Sequence, residues 1–416
     1  MSLKGSFSPP GDKSISHRVG LFALLAAGVC RVENYSPCAD CASTLGAFTA
    51  LGGRVQADNG AMVLGGREGR LTPAAKVDCG NSGTTMRLLM GVLAGRPGRY
   101  ELDGDASLRR RPMERVAAPL RLMGANVTTS EGRPPLTVEG GALNGLDYAL
   151  PVASAQLKSA LLLAGVQAAG PTIIHEPSPS RDHSERLLAR CGARIATGRG
   201  WVRVEPSALT LPENLRVPGD ASSAAFFLCA AALMPGSDVI AEGVLLNPTR
   251  TGFLDVLGRM GADLTVEPQG DQPEEWGRVR MAHGPRLTAT TISAAEVPGL
   301  VDEVPILALA ASQAQGVTVF QGVGELRIKE SDRLAAITSQ LNAMGARLTA
   351  TGDELRVEGP TPLRAPAALE SFGDHRIAMT LRLAACLAGG DPVIADEDCA
   401  AISYPGFAAD LRALTA

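Results

Sequence analysis

One short phrase occurs five times in the chain. Leu51-Gly52-Gly53-Arg54-Val55 returns as Met123-Gly124-Ala125-Asn126-Val127, Cys191-Gly192-Ala193-Arg194-Ile195, Met260-Gly261-Ala262-Asp263-Leu264 and Met344-Gly345-Ala346-Arg347-Leu348. The interval is roughly 70 residues, longer than any common solenoid period, so each copy belongs to a block with several elements of its own. Apolar residues at helical spacing precede each copy, as in Phe253-Leu254-Asp255-Val256-Leu257. Alternating text follows, as in Arg347-Leu348-Thr349-Ala350. The glycine therefore stops a helix in a positive-φ cap, and the next residues open a strand. Further helices, such as Ser154 to Ala164, and short strands, such as Pro171 to Ile174, lie between the copies. The chain is thus an α/β protein of about six repeated blocks. A sixth block ends near Phe407–Leu414, where the Gly-Ala step is missing because the chain stops.

At 416 residues the repeats exceed one ordinary core, and two domains are expected. The net charge of −4 provides no basic field for nucleic acid or an acidic membrane, so any anion site must be local. The start, Met1 to Gly5, has no apolar leader, and the longest apolar run, around Leu161–Val166, is short of a membrane span. A cytoplasmic protein is expected. The eight cysteines sit mostly in apolar text and read as reduced core residues. Cys38-Ala39-Asp40-Cys41 lacks the second ligand pair a zinc site needs, so no metal is expected.

Cations cluster at element starts. Pro10-Gly11-Asp12-Lys13-Ser14-Ile15-Ser16-His17-Arg18 runs into an apolar helix, placing Lys13, Ser14 and Arg18 at a helix N-terminus. Taken alone this is a solvated cap or an anion site. Cys79-Gly80-Asn81-Ser82-Gly83-Thr84 is a second junction of this kind, with Asn81 and Thr84 as side-chain donors. Arg111 precedes Pro112, which holds it extended and can start the next helix. Ser154-Ala155-Gln156 opens another helix, and Ser178-Pro179-Ser180-Arg181 adds hydroxyl and guanidinium groups. Asp302, ahead of apolar text, is an N-cap or a base at a cleft. Arg327-Ile328-Lys329-Glu330-Ser331-Asp332-Arg333 packs both signs of charge before a helix, and Gly373-Asp374-His375-Arg376 opens another. Together Lys13, Arg18, Arg111, Arg181, Lys329, Arg333 and Arg376 suit a ligand with several negative charges, with Asp302 and Glu330 as acid–base groups.

These segments, in this order and across nearly the whole chain, resemble the signature segments of the 5-enolpyruvylshikimate-3-phosphate synthase family, in its bacterial form. The resemblance implies a two-domain inverse α/β barrel-like fold (EPT/RTPC-like) of six βαβαββ units. Residues 12–219 would form one domain, and residues 1–11 with 220–416 the other, with the active site in the cleft between them. It implies a transferase that moves the enolpyruvyl group of phosphoenolpyruvate to the 5-hydroxyl of shikimate 3-phosphate through a tetrahedral ketal, with no cofactor and no metal. By resemblance, Lys13, Ser14, Arg18, Ser154, Ala155, Gln156, Ser178, Arg181, Asp302 and Lys329 hold shikimate 3-phosphate. Lys13, Asn81, Gly83, Arg111, Gln156, Arg333 and Arg376 hold phosphoenolpyruvate. Lys13, Asp302 and Glu330 are the catalytic set, Asp302 as base at the hydroxyl and Glu330 as acid at C3.

The resemblance also implies a monomer without nucleic-acid or membrane partners, and a glyphosate target, since tolerant relatives often carry Ala where Gly83 stands. Many relatives carry a Lys in the last loop; here Ala401-Ile402-Ser403-Tyr404-Pro405 has none. Two other readings fit the sequence less well. An enolpyruvyl transferase acting on UDP-N-acetylglucosamine typically uses a loop Cys, which Leu108-Arg109-Arg110-Arg111 lacks. A non-catalytic anion-binding repeat protein would have lost Lys13, Asp302 or Glu330, and all three are present.

Overall fold

A computed structural model describes residues 1–415. The chain divides into two compact units: a continuous unit, Gly11–Val217, and a split unit, Met1–Pro10 with the chain from Pro218 onward. Six helices belong to the continuous unit: α1 (Lys13–Phe22), α2 (Ala39–Ala50), α3 (Gly83–Ala94), α4 (Glu114–Leu122), α5 (Ala155–Gly165) and α6 (His183–Arg190). Six belong to the split unit: α7 (Ala221–Leu233), α8 (Gly252–Arg259), α9 (Val304–Gln313), α10 (Arg333–Ala343), α11 (His375–Ala388) and α12 (Phe407–Thr415).

The strands form five four-stranded sheets and one of two strands. One full block is Lys76–Asp78, α3, Gly98–Asp103, α4, then the hairpin Asn126–Ser130 and Arg133–Gly140. Its first strand pairs parallel to the second, and the second pairs antiparallel to the last. The first block of each unit borrows its parallel edge strand from elsewhere in that unit. Asn214–Arg216 pairs with Val29–Glu33, and Lys4–Phe7 pairs with Asp238–Leu245. The final block has only the parallel pair Ala368–Glu370 and Val393–Ala395 among the described residues. The five repeat glycines have positive φ: Gly52 +92°, Gly124 +106°, Gly192 +85°, Gly261 +90° and Gly345 +96°. A side chain there would be strained, which is why the phrase recurs as glycine.

Alternate helices are buried. In α7 every residue from Ala221 to Ala232 is buried, and in α9 every residue from Val304 to Ser312. The helices α1, α3, α5 and α11 are nearly as enclosed, while α2, α4, α8 and α10 keep a wet face. A helix apolar on all sides belongs in an interior, and each Leu so enclosed contributes about 1.5–3 kcal/mol. The buried helices pack on one another, α3 on α1 and α5, and α9 on α7 and α11. Their N-terminal ends carry the polar signature residues.

Two local expectations are corrected. Pro112 does not start a helix: α4 begins at Glu114, with Met113 as its flanking residue. Arg111 is nevertheless extended, with φ −81° and ψ 139°. Asp302 is not an N-cap either; Glu303 flanks α9, without a capping side-chain bond. The loop around Tyr404 is used for packing. Tyr404 is 1% exposed, its hydroxyl donates to Asp410 at 2.5 Å, and Phe407 stacks on Phe227 at 5.1 Å. No helix among the described residues is long and apolar enough to cross a membrane.

Candidate active site

In the continuous unit, α1, α3 and α5 each begin with a side-chain cap. Asp12 accepts from the Ile15 amide, Ser82 from Thr85 and Ser154 from Leu157. Capping one donor leaves other first-turn N–H groups, with the positive end of the helix dipole, facing outward. Lys13 opens α1, and its Nζ lies 2.5 Å from Asp40 Oδ2. Arg18, one turn on, is 2% exposed; it donates to Ser184 Oγ at 2.7 Å, Ser159 Oγ at 2.8 Å and the Ser14 carbonyl at 2.9 Å. These bonds fix its guanidinium at the start of the unit's buried helices.

Around Gly83 two more guanidinium groups converge. A Cβ built on Gly83 would lie 3.2 Å from Arg87 Nη1 and 3.3 Å from Arg111 Nη1. Arg87 donates to Gln156 Oε1 at 2.6 Å and the Pro112 carbonyl at 3.2 Å, while Gln156 donates to Thr84 Oγ1 at 2.9 Å. Arg111 donates to Asn81 Oδ1 at 2.7 Å, and the Asn81 amide donates to Asp105 Oδ2 at 2.7 Å. Asn81 and Thr84, expected to donate to a ligand, thus serve first to position Arg111 and Gln156. Asn81, Gly83, Thr84, Arg111 and Gln156 come together as one group.

Two buried features support this end of the unit. His17 Nδ1 lies 2.6 Å from Thr44 Oγ1, itself 2.6 Å from Thr85 Oγ1, so one hydrogen-bonded chain joins α1, α2 and α3. Burial, then the charges of Lys13 and Arg18, hold the imidazole pKa well below its ordinary value, so it is neutral. Cys38 flanks the start of α2; a hydrogen bond from the Cys41 thiol brings Cys38 to about 7, assisted by Lys13 and opposed by burial. None of the eight cysteines is in a disulfide, and six are buried. Ser178 and Arg181 lie between the strand Thr172–His175 and α6, in a loop tied to α5 through Ser180.

In the split unit the signature residues meet around Arg333, the first residue of α10 and 1% exposed. Its Nε donates to Asp374 Oδ2 at 2.8 Å, Nη1 to Asp302 Oδ1 at 3.1 Å and Nη2 to Glu330 Oε2 at 2.5 Å. Asp374 also accepts from Ser331 Oγ at 3.0 Å and caps α11 through the Arg376 amide at 3.0 Å. Burial alone would raise the Asp374 pKa, but the Arg333 charge outweighs it and holds the group below the usual carboxylate range. Arg376 is held more loosely: it donates to the Asp302 carbonyl at 3.3 Å and lies 3.6 Å from Glu303 Oε1. Glu303, 2% exposed, accepts from Ser222, which with Asp220 receives Arg250 at 2.8 and 3.3 Å. The structure thus brings together Asp302, Glu330, Arg333 and Arg376, with Lys329 next in sequence to Glu330 on the same connection.

Sequence reasoning passed over Arg87, Asp40, Glu303 and Arg250. The spacing from Gly83 to Arg87, one helical turn, was the one available signal; the others depend on contacts distant in sequence.

The family model of EPSP synthase (3-phosphoshikimate 1-carboxyvinyltransferase) matches residues 1–411. A 3-phosphoshikimate 1-carboxyvinyltransferase of a Synechococcus species is 49% identical over 424 residues, covering 99% of this chain and 96% of its relative. That of Bacillus subtilis is 43% identical over 418 residues, covering 100% and 98%. Among solved structures, EPSP synthase from Acinetobacter baumannii superposes with a TM-score of 0.88 at 40% identity, covering 99% and 96%. The enolpyruvyl transferase NikO from Streptomyces tendae, 21% identical with a TM-score of 0.80 over 100% and 95%, shares the fold. The expected α/β enolpyruvyl-transferase architecture and transferase class are borne out, and neither alternative is favoured. With a family model matching residues 1–411 and relatives at 43% and 49% identity over nearly the whole chain, the chain belongs to the EPSP synthase (3-phosphoshikimate 1-carboxyvinyltransferase) family.

Proposed function

We propose that this transferase moves the carboxyvinyl group of phosphoenolpyruvate to the 5-hydroxyl of shikimate 3-phosphate, and that its two charged clusters divide the work. The reaction is the family's own; the assignment of roles to residues is the proposal. In the continuous unit, Lys13, Ser14, Arg18, Ser154, Ala155, Gln156, Ser178 and Arg181 hold shikimate 3-phosphate. Lys13, Asn81, Gly83, Arg111 and Gln156 hold phosphoenolpyruvate. From the split unit, Asp302 and Lys329 serve the shikimate ring, while Arg333 and Arg376 take the phosphoenolpyruvate carboxylate. The observation that carries this reading is the pair of guanidinium groups, Arg87 and Arg111, which converge within 3.3 Å of where a Cβ on Gly83 would lie. They suit a phosphate oxygen in geometry and charge.

Asp302 accepts the proton as the 5-oxygen bonds to C2, and Glu330 delivers a proton to C3, giving the ketal. Glu330, now a carboxylate, takes a proton back from the new methyl group as the C2–O bond to phosphate breaks; phosphate leaves with the bonding pair and the vinyl group is restored. Cations and helix N-termini stabilise the departing charge. Glu330, with 21% of its side chain exposed against 0% for Asp374, is the partner of Arg333 most easily replaced. An arriving carboxylate that takes Nη2 frees Glu330 to face C3, which couples binding to the acid's readiness. We further propose that the chain works in the cytoplasm as a monomer and that glyphosate competes with phosphoenolpyruvate at Gly83.

The test is phosphate release from phosphoenolpyruvate with shikimate 3-phosphate, comparing wild type with Glu330→Gln. Release by the wild type and a loss of about a hundredfold or more in the variant supports the roles. Absence of release by the wild type rejects the function, and equal rates reject only the role of Glu330.

A further inference from the structure

Lys158 stands in the second turn of the buried helix α5, with 1% of its side chain exposed. Its Nζ lies 2.6 Å from Glu185 Oε1, 2.8 Å from Glu176 Oε2 and 3.4 Å from the Ser180 carbonyl. An ammonium has three N–H donors, and here each has an acceptor. Glu176 follows the strand Thr172–His175, Glu185 lies in the first turn of α6, and Ser180 sits between them. Ser180 Oγ in turn donates to Glu176 Oε1 at 2.5 Å. One side chain therefore grips the connection from Glu176 to Glu185 at both ends and near its middle.

That connection carries Ser178 and Arg181, and α5 begins at Ser154, Ala155 and Gln156. The neighbouring residue repeats the link. Ser159 Oγ lies 2.6 Å from Ser184 Oγ, and Arg18 donates to both hydroxyls. Residues 158 and 159 on α5 thus meet 185 and 184 on α6, one pair through charge and one through hydroxyls. Burying one ammonium between two carboxylates is poor economy for stability alone, because apolar side chains of the same volume do as well or better. Glu185 Oε2 is buried with no hydrogen-bond partner, and burial raises the Glu185 pKa against the pull of Lys158. A buried Lys–Glu–Glu triad on an apolar helix face is better explained by what it positions.

We propose that Lys158, acting through Glu176 and Glu185, is a positioning residue that holds Ser178 and Arg181 in register with the start of α5 for shikimate 3-phosphate. This rests on the functional reading above. Lys158 touches no substrate in this scheme and takes no part in proton transfer. Arg is a poor substitute, because its planar fork does not direct three donors to these three acceptors.

The test uses the full chain with Lys158→Met and, because that change leaves two buried carboxylates without a counter-charge, also Glu176→Gln. Two readouts are taken: steady-state kinetics with both substrates, and amide hydrogen exchange of residues 176–185. Lys158→Met is expected to raise the KM for shikimate 3-phosphate by about tenfold to a hundredfold, the range that misplaced positioning groups produce. The KM for phosphoenolpyruvate, at saturating shikimate 3-phosphate, should move less than about twofold. Glu176→Gln should shift the same constant in the same direction by less. Exchange should rise in 176–185 and not in α1 or α3. Equal rises in both KM values, or unchanged exchange in 176–185, would overturn the proposal. A wild type without turnover would reject the functional reading, while the exchange data would still decide whether Lys158 holds the loop.

Discussion

Replacing Arg333 with Met should destabilise the split unit more than any other single change at its charged cluster. The side chain is 1% exposed and its three nitrogen positions face Asp374, Asp302 and Glu330 at 2.8, 3.1 and 2.5 Å. Met fills much of the volume, so the loss is electrostatic. Asp374, with 0% of its side chain exposed, keeps only its bonds from Ser331 and the Arg376 amide. Removing one partner of a buried ion pair costs about 3–5 kcal/mol. For a unit of this size that is roughly 6–20 °C in Tm, taking about 2–4 °C per kcal/mol. The effect should depend on pH. The Asp374 pKa is depressed in the folded state, so its contribution is present above its unfolded value of about 4 and is lost as pH falls through the folded value. The Tm gap between wild type and Arg333→Met should therefore be wide at pH 7 and narrow toward pH 3. Thermal unfolding followed by circular dichroism at several pH values measures it. A loss under about 1 kcal/mol at pH 7, the size of a surface pair, would refute the reasoning. So would a gap that does not change with pH.

Gly83→Ala should raise the glyphosate inhibition constant by about tenfold or more and weaken phosphoenolpyruvate less, because the methyl group meets Arg87 and Arg111 at 3.2 and 3.3 Å. An inhibition constant no higher than wild type in competition kinetics would contradict this. Arg87→Lys should raise the KM for phosphoenolpyruvate about tenfold, since a lysine cannot bridge Gln156 and the Pro112 carbonyl as the fork does. An unchanged KM would remove Arg87 from the site. Asp40→Asn should leave the fold intact and weaken both substrates, because Lys13 loses the carboxylate at 2.5 Å that sets its position; unaltered kinetics would show that Lys13 is placed by its helix alone.

The block architecture was legible because positive-φ turns tolerate little but glycine, so Gly52, Gly124, Gly192, Gly261 and Gly345 mark each block in plain text. The missing sixth phrase likewise marks a sheet that has only two strands. The site's helix starts were legible through capping chemistry at Asp12, Ser82 and Ser154. Partnership across the chain was not. Lys158 in apolar helical text gives no sign that its carboxylates are Glu176 and Glu185, since burial of a charge is decided by what folds over it. Arg333 shows the same limit. Its place in a dense charged segment suggested a ligand-binding cation with Glu330 nearby, while the approach of Asp302 and Asp374 follows only from the contact of α9, α10 and α11. Asp302 and Glu303 differ by one residue, and local sequence did not distinguish which would flank α9.

On the proposed assignment, two clusters of charge serve one transfer between two anionic substrates. The most direct measurement follows the product by proton NMR while free phosphate is assayed in the same reaction. A carboxyvinyl ether on the 5-oxygen of shikimate 3-phosphate is expected, formed one-for-one with phosphate, and no product when UDP-N-acetylglucosamine replaces it. Phosphate released without the ether, or an ether formed on the UDP-sugar, would contradict the assignment.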